Sequence, residues 1–402
     1  MRPIRETIAL DEARALMREK TRPVDRVETV DLADADRRVL SGPVVADRDV
    51  PPFARAAMDG FAVIAADTFG TGPFDARVLR LLEKVYTGQV PTCAVSPGNC
   101  AEIATGAPMP DGADAVVMVE ETEKDAGGRV RVFSPVYPGQ NVGRQAADIR
   151  TGQTLFAAGD VLNPSRVGAL AALGYDRVDV LAKPRVAILS TGNEIVAPGE
   201  PLAPGQIYDI NRYTLGAIIG EHGGVAVPRA STADTLEDLE RALDACLDAD
   251  LLIFSGGSSV GERDLVLDLV ATRGEVLFHG IAVKPGKPTL FGLIDGAPVL
   301  GMPGYPTSCL SNGYMLLVPL LRRLARLPDF SPRALTLPLG QRIVSTTGRH
   351  QFYTVRVVDG VAMPAFKASG DITSMSLADG YIEIPAQTDI VEKGEMVDVR
   401  FF

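Results

Sequence analysis

Three stretches of the chain decide the fold: VAILSTGNE (186–194), LLIFSGGSSVGERD (251–264) and PVLGMPGYPTS (298–308). In each, a short apolar run passes directly into a loop rich in glycine, serine or proline, which is typical of a buried strand that ends at a sheet edge. Segments with helical spacing separate these runs. The repetition predicts an α/β fold, in which a mostly parallel sheet carries helices on both faces.

Further elements extend this pattern around the three runs. Two more strands are predicted at VAVPR (225–229) and TLFGLI (289–294). Helices are predicted between the strands, over 213–221, 234–247, 264–273 and 308–326. The α/β pattern therefore occupies the chain from about residue 183 to residue 327.

The rest of the chain has a different pattern. Residues 8–20 carry apolar side chains at helical spacing. Short apolar runs separated by Gly, Pro and Asp follow from Val44 to about Gly143, which predicts an all-β unit. Helical spacing returns around Ser165–Leu173, and the segment after Pro328 is again rich in strands, enough for a small barrel or sandwich.

Composition and charge disfavour several classes of protein. Lysine and arginine number 40 against 51 aspartates and glutamates, a net charge of −11, so attraction to nucleic acid or anionic lipid is disfavoured. The four cysteines form no CxxC pair, and with only three histidines we expect no structural zinc site. No stretch approaches the roughly 18 apolar residues of a membrane span, and the charged start is unlike a secretory signal, so we expect a cytoplasmic protein.

The loops at the strand ends carry the candidate chemistry, because ligands of open α/β sheets bind beyond the carboxyl ends of the strands. The loop that starts at Ser255 can direct several backbone N–H groups at one anion, although an ordinary turn with a Ser or Asp helix cap fits it as well. Glu194 and Asp264 each close one of these segments. They are natural Mg²⁺ ligands, since Mg²⁺ prefers a few carboxylates plus phosphate and water.

Two lysines stand close together between prolines in KPGKP (284–288). A stiff loop with two ammonium groups suits an oxyanion, and a solvated surface loop is the competing interpretation. The next strand exit leads to Thr307 or Ser308, either of which can cap a helix whose N-terminus favours another anion. In the β-rich part, Asp59 of AMDGFA and Thr105 of IATGA are, taken alone, compatible with plain turn formers.

Taken together, these motifs resemble those of the molybdopterin molybdenumtransferase family. They read, in the family's order, VDLADADRRVL (30–40), AAMDGFAV (56–63), IATGAPMPDGADAVVMVEETE (103–123), GQNVGRQAADI (139–149), ILSTGNE (188–194), IYDIN (207–211), SGGSSVGERD (255–264), VKPGKP (283–288), GMPGYPTS (301–308) and GRHQFYTVRV (348–357). The resemblance implies an enzyme that inserts molybdate into adenylylated molybdopterin, releases AMP and forms the molybdenum cofactor, with Mg²⁺ as its cofactor.

The resemblance also implies four domains and a dimer. The domains are a split helical one (1–45 and 145–182), a β-rich insert (46–144), an α/β molybdopterin-binding domain (183–327) and a C-terminal β-barrel-like domain (328–402). Family members are elongated homodimers whose active cleft takes residues from both subunits. Their further partners are the adenylyltransferase that makes the substrate and the molybdoenzymes that accept the product.

The family's functional residues map onto matching positions of this chain. By resemblance, the catalytic residues are Asp59, Thr105, Glu194 and Asp264, and the last two hold the metal. The residues that bind the substrate and molybdate are Ser255, Gly256, Gly257, Ser259, Gly261, Lys284, Lys287, Pro303, Pro306, Ser308 and Arg349. Asp148 matches an acid that family members carry after a Gly-Glu pair, and the resemblance extends the site to the serines near Ser369-Gly370-Asp371.

The chain departs from the family pattern at four positions. Ala56 replaces the serine that starts the S-x-MDG motif, Ala146 and Ala147 replace a Gly-Glu pair, and Tyr305 replaces the asparagine of PGNP. The larger Tyr305 side chain is expected to alter the rim of the pterin or oxyanion site, so tungstate, a similar dianion, is an alternative substrate. Two other functions stay open: a molybdopterin adenylyltransferase, and a non-catalytic scaffold that handles the cofactor.

Overall fold

The computed structural model describes residues 4, 6–229, 235–256 and 264–402. The chain divides into two compact units. The larger unit comprises Met1–Glu28, Arg37–Val39 and Val180–Phe402, and the smaller unit comprises Thr29–Asp36 and Leu40–Asp179. The boundaries of the four predicted domains stay a prediction.

Helix α1 (Leu10–Lys20) confirms the helix predicted over 8–20. Its buried side chains are Leu10, Ala13 and Met17, which share one face because they lie three, four and seven residues apart. Acidic residues in the first turn and basic residues in the last turn suit the helix dipole.

The next part of the chain is built mainly from short strands. The elements are, in chain order, β1 (Val27–Asp31), β2 (Val44–Val45), β3 (Arg55–Ala56), β4 (Gly60–Val63), β5 (Arg77–Val85), β6 (Asn99–Ile103), β7 (Ala115–Met118), β8 (Thr122–Lys124), β9 (Arg129–Val132), β10 (Val142–Gly143), β11 (Thr154–Phe156), α2 (Pro164–Ala172) and β12 (Arg177–Leu181). Six of the strands form one sheet in the order β7-β4-β6-β5-β9-β8. Along β4, Phe61 and Val63 enter one apolar core and Ala62 enters the other, as strand alternation requires. The all-β unit predicted from Val44 to Gly143 is confirmed.

Helix α2 confirms the helix predicted around Ser165–Leu173. Asn163 precedes it, and the Asn163 side chain accepts the backbone N–H of Arg166 at 2.9 Å. Pro164 occupies the first position, where its missing N–H costs no hydrogen bond.

The larger unit contains the predicted α/β layers. Its elements here are β13 (Arg185–Ser190), β14 (Ile195–Val196), β15 (Ile207–Tyr208), α3 (Asn211–Glu221), β16 (Val225–Pro228), α4 (Leu236–Asp244), β17 (Leu251–Ser255), α5 (Leu265–Arg273), β18 (Gly274–His279), β19 (Val283–Lys284), β20 (Leu290–Ile294), β21 (Ala297–Met302), α6 (Pro306–Asn312) and α7 (Val318–Leu324). Alternate residues of β13 enter two cores: Val186 and Ile188 pack with α3, α6 and α7, whereas Ala187 and Leu189 pack with α4 and α5. Helices on both faces of the sheet are therefore confirmed.

The sheet has the order β16-β13-β17-β21-β20-β18. The first four strands are parallel, as predicted, and the last two run antiparallel to their neighbours. The reversal has a local cause. Asp295 and Gly296 both have positive φ, 51° and 82°, which is the two-residue turn that joins antiparallel strands.

The single helix predicted over 308–326 is interrupted. A π-helical turn, Gly313–Leu317, separates α6 from α7. Pro319 near the start of α7 has no backbone N–H, so the carbonyl of Met315 one turn earlier loses its usual donor. Nε of Arg14 in α1 donates to that carbonyl at 2.9 Å. The interruption thus follows from one proline, and α1 supplies the missing hydrogen bond.

The C-terminal part of the larger unit is strand-rich, as predicted. Its elements are β22 (Ala334–Pro338), β23 (Ile343–Val344), β24 (His350–Val358), β25 (Val361–Pro364), α8 (Thr373–Ser376), β26 (Gly380–Ile384), β27 (Ile390–Val391) and β28 (Met396–Phe401). Strands β22, β24, β26 and β28 join β19 in a sheet with the order β19-β24-β26-β28-β22, and β25 pairs with β24. Strands β23 and β27 form a separate pair. Because β19 is the strand that ends in Lys284, this sheet joins the lysine loop to the C-terminal strands.

Across the described ranges, none of the helices combines the length and the apolar character that crossing a membrane requires.

Candidate functional site

Three strands of the α/β sheet end side by side. In the parallel register, Ser190 of β13 lies opposite Ser255 of β17, and Ser255 lies opposite Met302 of β21. The first residues beyond the strands continue the pairing: the N–H of Thr191 donates to Ser255 at 3.0 Å, and the N–H of Gly256 donates to Met302 at 3.3 Å. The predicted meeting of these exits at one edge is confirmed.

Gly256 is required where the β17 exit turns. Its φ is +95°, and a Cβ there would lie 2.7 Å from the Thr191 carbonyl oxygen. Ser255 is buried below it. The remaining predicted residues of this loop, Gly257, Ser259 and Gly261, lie outside the described residues.

Asp264 is buried and caps helix α5. Its Oδ1 accepts the backbone N–H of Leu267 at 3.0 Å. Its Oδ2 lies 3.1 Å from Nε2 of His279, the last residue of β18. Sequence reasoning missed His279, because its proximity to Asp264 depends on the antiparallel position of β18. Each oxygen of the Asp264 carboxylate therefore has a contact within the protein.

Glu194 follows strand β13 and is exposed. Its carboxylate folds back over Gly192, whose φ is +133° and where a Cβ would come within 2.6 Å of Oε2 of Glu194. The Glu194 backbone carbonyl accepts the N–H of Ile207 at 2.8 Å, which anchors the turn to β15.

The donor chemistry of Glu194 and Asp264 suits Mg²⁺, which binds carboxylate oxygens and keeps several waters or phosphates. Among the residues that the structure describes, no three His, Cys, Asp or Glu side chains converge on one metal-sized position. A cation held by one or two carboxylates and by a phosphate ligand needs no such cluster, so these residues fit Mg²⁺.

A buried side chain of helix α6 holds the loop that carries the two lysines. Asn312 of α6 donates through Nδ2 to the Gly286 carbonyl at 2.9 Å and to Oγ1 of Thr289 at 2.6 Å. Gly286 has φ +102°, and a Cβ at this position would collide with the Asn312 side chain. Asn312 is fully buried and was not predicted, because only the tertiary fold brings α6 under the loop.

Both lysines are half-buried and bind neutral acceptors. Nζ of Lys284 donates to Oγ1 of Thr346 at 2.7 Å, and Nζ of Lys287 donates to the Ile4 carbonyl at 2.8 Å. Within the described residues neither ammonium group forms an ion pair with a carboxylate. Their charge is thus held in place and remains available to an anion.

Arg349 is brought to the same loop by strand pairing. The neighbouring His350 pairs with Val283 in the β19–β24 register and donates its N–H to the Ala282 carbonyl at 2.8 Å. Lys284 itself lies opposite Gln351. The half-buried Arg349 therefore directly precedes the strand that pairs with the lysine loop, and its role in binding the substrate stays a prediction.

Helix α6 starts at the β21 exit. Pro306 takes its first turn, Pro303 lies in the preceding loop, and Ser308 is buried. Thr307 donates through its N–H to the Ser369 carbonyl at 3.1 Å and through Oγ1 to the Asp371 carbonyl at 2.8 Å. The Ser369–Asp371 turn is thereby fixed against α6. The substituted Tyr305 is 66% exposed, so its ring lies at the surface of this exit.

The smaller unit carries the other predicted pair. Oδ1 of Asp59 accepts the backbone N–H of Thr105 at 2.7 Å, and this hydrogen bond holds the pKa of the Asp59 carboxyl below its usual range. Asp59 is exposed. The adjacent Gly60 is needed because a Cβ there would collide with the Val117 carbonyl of β7. Asp59 and Thr105 thus form a hydrogen-bonded pair at the ends of β4 and β6.

Three of the four departures from the family pattern, Ala56, Ala146 and Ala147, lie in the same unit. Ala56 is buried, and its N–H donates to the Ala107 carbonyl at 2.9 Å. Ala146 has φ +55°. Asp148 is exposed and donates its N–H to the Val50 carbonyl at 3.0 Å.

A cavity of about 650 Å³ in the larger unit lies elsewhere, lined by residues that include Arg14, Tyr314 and Tyr381. It shares no lining residue with the strand ends. We place the candidate site at the strand ends, where the ordered carboxylates, lysines and helix starts occur.

Family models match most of the chain. Residues 8–174 match the MoeA N-terminal region (domain I and II), residues 187–323 match a probable molybdopterin binding domain, and residues 336–402 match the MoeA C-terminal region (domain IV).

Individual relatives align over nearly the whole length. Molybdopterin molybdenumtransferase 2 of Mycobacterium tuberculosis is 34% identical, over 92% of this chain and 94% of its own length. Molybdopterin molybdenumtransferase of Haemophilus influenzae is 31% identical, over 98% of each chain. The solved structure of the molybdopterin biosynthesis MoeA protein from Pyrococcus horikoshii is 37% identical, covers 98% of this chain and 99% of its own, and superposes with a TM-score of 0.86. The chain therefore belongs to the MoeA family of molybdopterin molybdenumtransferases.

Proposed function

We propose that this chain is a molybdopterin molybdenumtransferase, which inserts molybdate into adenylylated molybdopterin, releases AMP and completes the molybdenum cofactor. The observation that carries the proposal is the lysine loop: Thr346 and the Ile4 carbonyl hold its two half-buried ammonium groups, and Asn312 holds its backbone at Gly286. Fixed positive charge binds an oxyanion without reorganising first. Relatives named for this reaction align with more than nine-tenths of the chain.

The adenylyl and phosphate groups of the substrate bind, in this proposal, at the exit of β17. Ser255 and Gly256 begin the loop, and Gly257, Ser259 and Gly261 continue it. Backbone N–H groups of such a loop, together with the start of α5, suit phosphate oxygens.

Molybdate binds beside Lys284, Lys287, Ser308 and Arg349, with Pro303 and Pro306 shaping the turn above them. At an effective dielectric near 20, unit charges about 4 Å apart attract by about 4 kcal/mol, and desolvation offsets much of this. Positive charges of this kind do not distinguish molybdate from tungstate, because both are tetrahedral dianions of similar size. We therefore propose that the site accepts either oxyanion.

Glu194 and Asp264 are proposed to hold Mg²⁺, which when bound neutralises phosphate charge. The dithiolene sulfurs of the substrate bind molybdenum as their two protons and one oxo ligand leave as water. Water cleaves the phosphoanhydride, which releases AMP and leaves the other phosphate on the pterin. The chain's own contribution is to orient these groups at one sheet edge.

Asp59 and Thr105 are proposed to position the opposite end of the substrate. We further propose that the chain works as a cytoplasmic homodimer, in which the Asp59 pair of one subunit and the strand ends of the other serve one reaction. The described cysteines are all free, which suits a reducing compartment. The adenylyltransferase and the molybdoenzymes are its proposed partners before and after the reaction.

The test is to incubate the protein with adenylylated molybdopterin, Mg²⁺ and either molybdate or tungstate. We expect AMP release together with retention of the metal on the pterin. Consumption of ATP with metal-free molybdopterin would instead indicate an adenylyltransferase. No reaction with either substrate would indicate a scaffold.

A further inference from the structure

One sequence motif, IYDIN (207–211), has no role in the account above, yet it contributes two buried polar atoms to the strand edge. Asp209 and Asn211 are 6% and 7% exposed. Within the described residues, Oδ2 of Asp209 and Oδ1 of Asn211 have no hydrogen-bond partner. Buried polar atoms in folded proteins almost always have one, so an orphaned pair points to a missing ligand or water.

The orientation of Asn211 is fixed by its other atom. Nδ2 donates to Oγ of Ser255 at 2.8 Å and to the Gly304 carbonyl at 2.9 Å. A carbonyl can only accept, so the amide nitrogen must face Gly304. The remaining oxygen, Oδ1, is therefore an acceptor without a donor, located between the β17 and β21 exits.

Asp209 is fixed in a similar way. Its Oδ1 accepts the backbone N–H of Arg212 in the first turn of α3 at 3.0 Å. Its backbone N–H donates to the Val196 carbonyl at 2.9 Å, and Asn211 follows it by two residues. Burial raises the pKa of the Cys309 thiol to about 12, a hydrogen bond with Ser255 opposes this rise, and the Asp209 charge adds to it.

The chemistry of Oδ2 of Asp209 and Oδ1 of Asn211 indicates which kind of ligand they can bind. Both are acceptors, and one is charged, so phosphate and molybdate oxygens are excluded by repulsion. A group that presents N–H donors suits both atoms. The substrate of the proposed function, on which this inference rests, carries two amino-bearing heteroaromatic rings, adenine and pterin.

We propose that Oδ2 of Asp209 and Oδ1 of Asn211 form an acceptor pair that receives the N–H groups of an aminated heteroaromatic ring of the substrate. The pair gives the strand edge a site for the N–H donors of an uncharged ring, beside its anion-binding loops. Asn211 additionally positions the β17 and β21 exits through its amide nitrogen.

The test uses Asp209→Asn, because asparagine keeps the oxygen that caps α3 and the volume of the side chain. It replaces the free acceptor with a donor and removes a buried charge. The variant should unfold at the same temperature as the wild type or a higher one, since an uncompensated buried charge is costly. Its affinity for AMP or for free pterin, measured by calorimetry in EDTA, should fall at least tenfold.

The probes identify which ring binds. If adenine is the ligand, Asp209→Asn weakens AMP binding and inosine monophosphate, which lacks the amino group, binds the wild type more weakly than AMP. If pterin is the ligand, only pterin binding is weakened. Asp379→Asn is the matched control, because Asp379 also accepts one backbone N–H, from Val357 at 2.7 Å, but lies in the C-terminal part of the unit.

Three results would overturn the proposal. They are unchanged affinity of Asp209→Asn for both probes, no binding of either probe to the wild type, and a loss that occurs only when Mg²⁺ is present. The last would assign the pair to a cation. Release of AMP from adenylylated molybdopterin by the wild type tests the proposed function separately, so the two failures are distinguishable.

Discussion

The two acidic centres of the molecule are held in different ways. Asp59 in the smaller unit is exposed and accepts the backbone N–H of its neighbour Thr105. Asp264 in the larger unit is 5% exposed, caps a helix with one oxygen and faces His279 with the other. The comparison teaches that Asp264 is held within the buried part of the larger unit, whereas the exposed Asp59 is held by a hydrogen bond from a second surface loop of the smaller unit.

Because of this difference, substitutions in the two regions should affect the stability of the protein and its activity to different extents. Substitutions around Asp264 and the lysine loop change buried or half-buried groups. Their effect on the free energy of unfolding therefore depends on whether the new side chain clashes with its neighbours. Substitution of Asp59 removes an exposed charge from a surface turn. The predictions below test that contrast, beginning with the largest expected effect.

Asp264→Asn should lower Mg²⁺-dependent AMP release by about 100-fold or more, the scale seen when one preorganised electrostatic group is removed. Asparagine still caps α5, so the unfolding temperature should change little. Glu194→Gln should behave in the same way. Steady-state AMP release and thermal unfolding measure the two effects. Normal turnover in either variant would remove that residue from the site.

Lys284→Ala combined with Lys287→Ala should raise the molybdate or tungstate concentration needed for half-maximal activity by about tenfold or more, because two fixed charges are lost. Affinity for AMP should change less. Raising the ionic strength should weaken oxyanion use by the wild type more than by the double variant. Equal oxyanion dependence in the two proteins would show that these lysines serve only the loop.

Gly286→Ala should destabilise the larger unit by about 2 kcal/mol, because alanine is strained at positive φ and its Cβ would also collide with Asn312. Gly296→Ala is the matched control: its φ is also positive, +82°, but nothing lies within 4 Å of the added atom. It should cost less, about 1 kcal/mol. Denaturant unfolding measures both. Equal costs would mean that Asn312 does not clamp the loop.

Asp59→Asn should leave the unfolding temperature unchanged and lower AMP release by about tenfold, a typical share for one positioning group. Because its hydrogen bond from Thr105 lowers the pKa of Asp59, the carboxyl stays ionised throughout the neutral range. Any stability that it adds is present above the unfolded-state pKa and lost as pH falls through the lower folded value. The activity ratio of wild type to variant should thus be constant from pH 5 to pH 8. A ratio that varies across this range would contradict the assigned ionisation.

Much of the fold was predictable, because the apolar runs at β13, β17 and β21 are long enough to identify buried parallel strands. Strand β20 was predicted but its antiparallel direction was not, and β18 was not predicted at all, although the Asp295-Gly296 pair is a recognisable hairpin turn. The break before α7 was likewise encoded in Pro319. Both features, the strand reversal and the helix break, therefore have local causes in the sequence.

The site was predictable only in its chemical groups. The order of the motifs identified Asp264 and the lysines. The residues that hold them in place are brought near only by tertiary packing. His279 reaches Asp264 through an antiparallel strand, and Asn312 reaches Gly286 from a helix farther along the chain. No spacing in the sequence reports such contacts, since they join residues that are distant along the chain.

Subunit complementation tests most directly the claim that the two regions serve one reaction across a homodimer. Asp59→Asn and Lys287→Ala proteins are mixed, subunit exchange is verified, and AMP release by the hybrid is compared with that of each parent. If the strand ends of one subunit act with Asp59 of the other, each hybrid retains one intact site. The hybrid should then show about half of the wild-type rate, well above either parent. Hybrids no more active than their parents would contradict the claim.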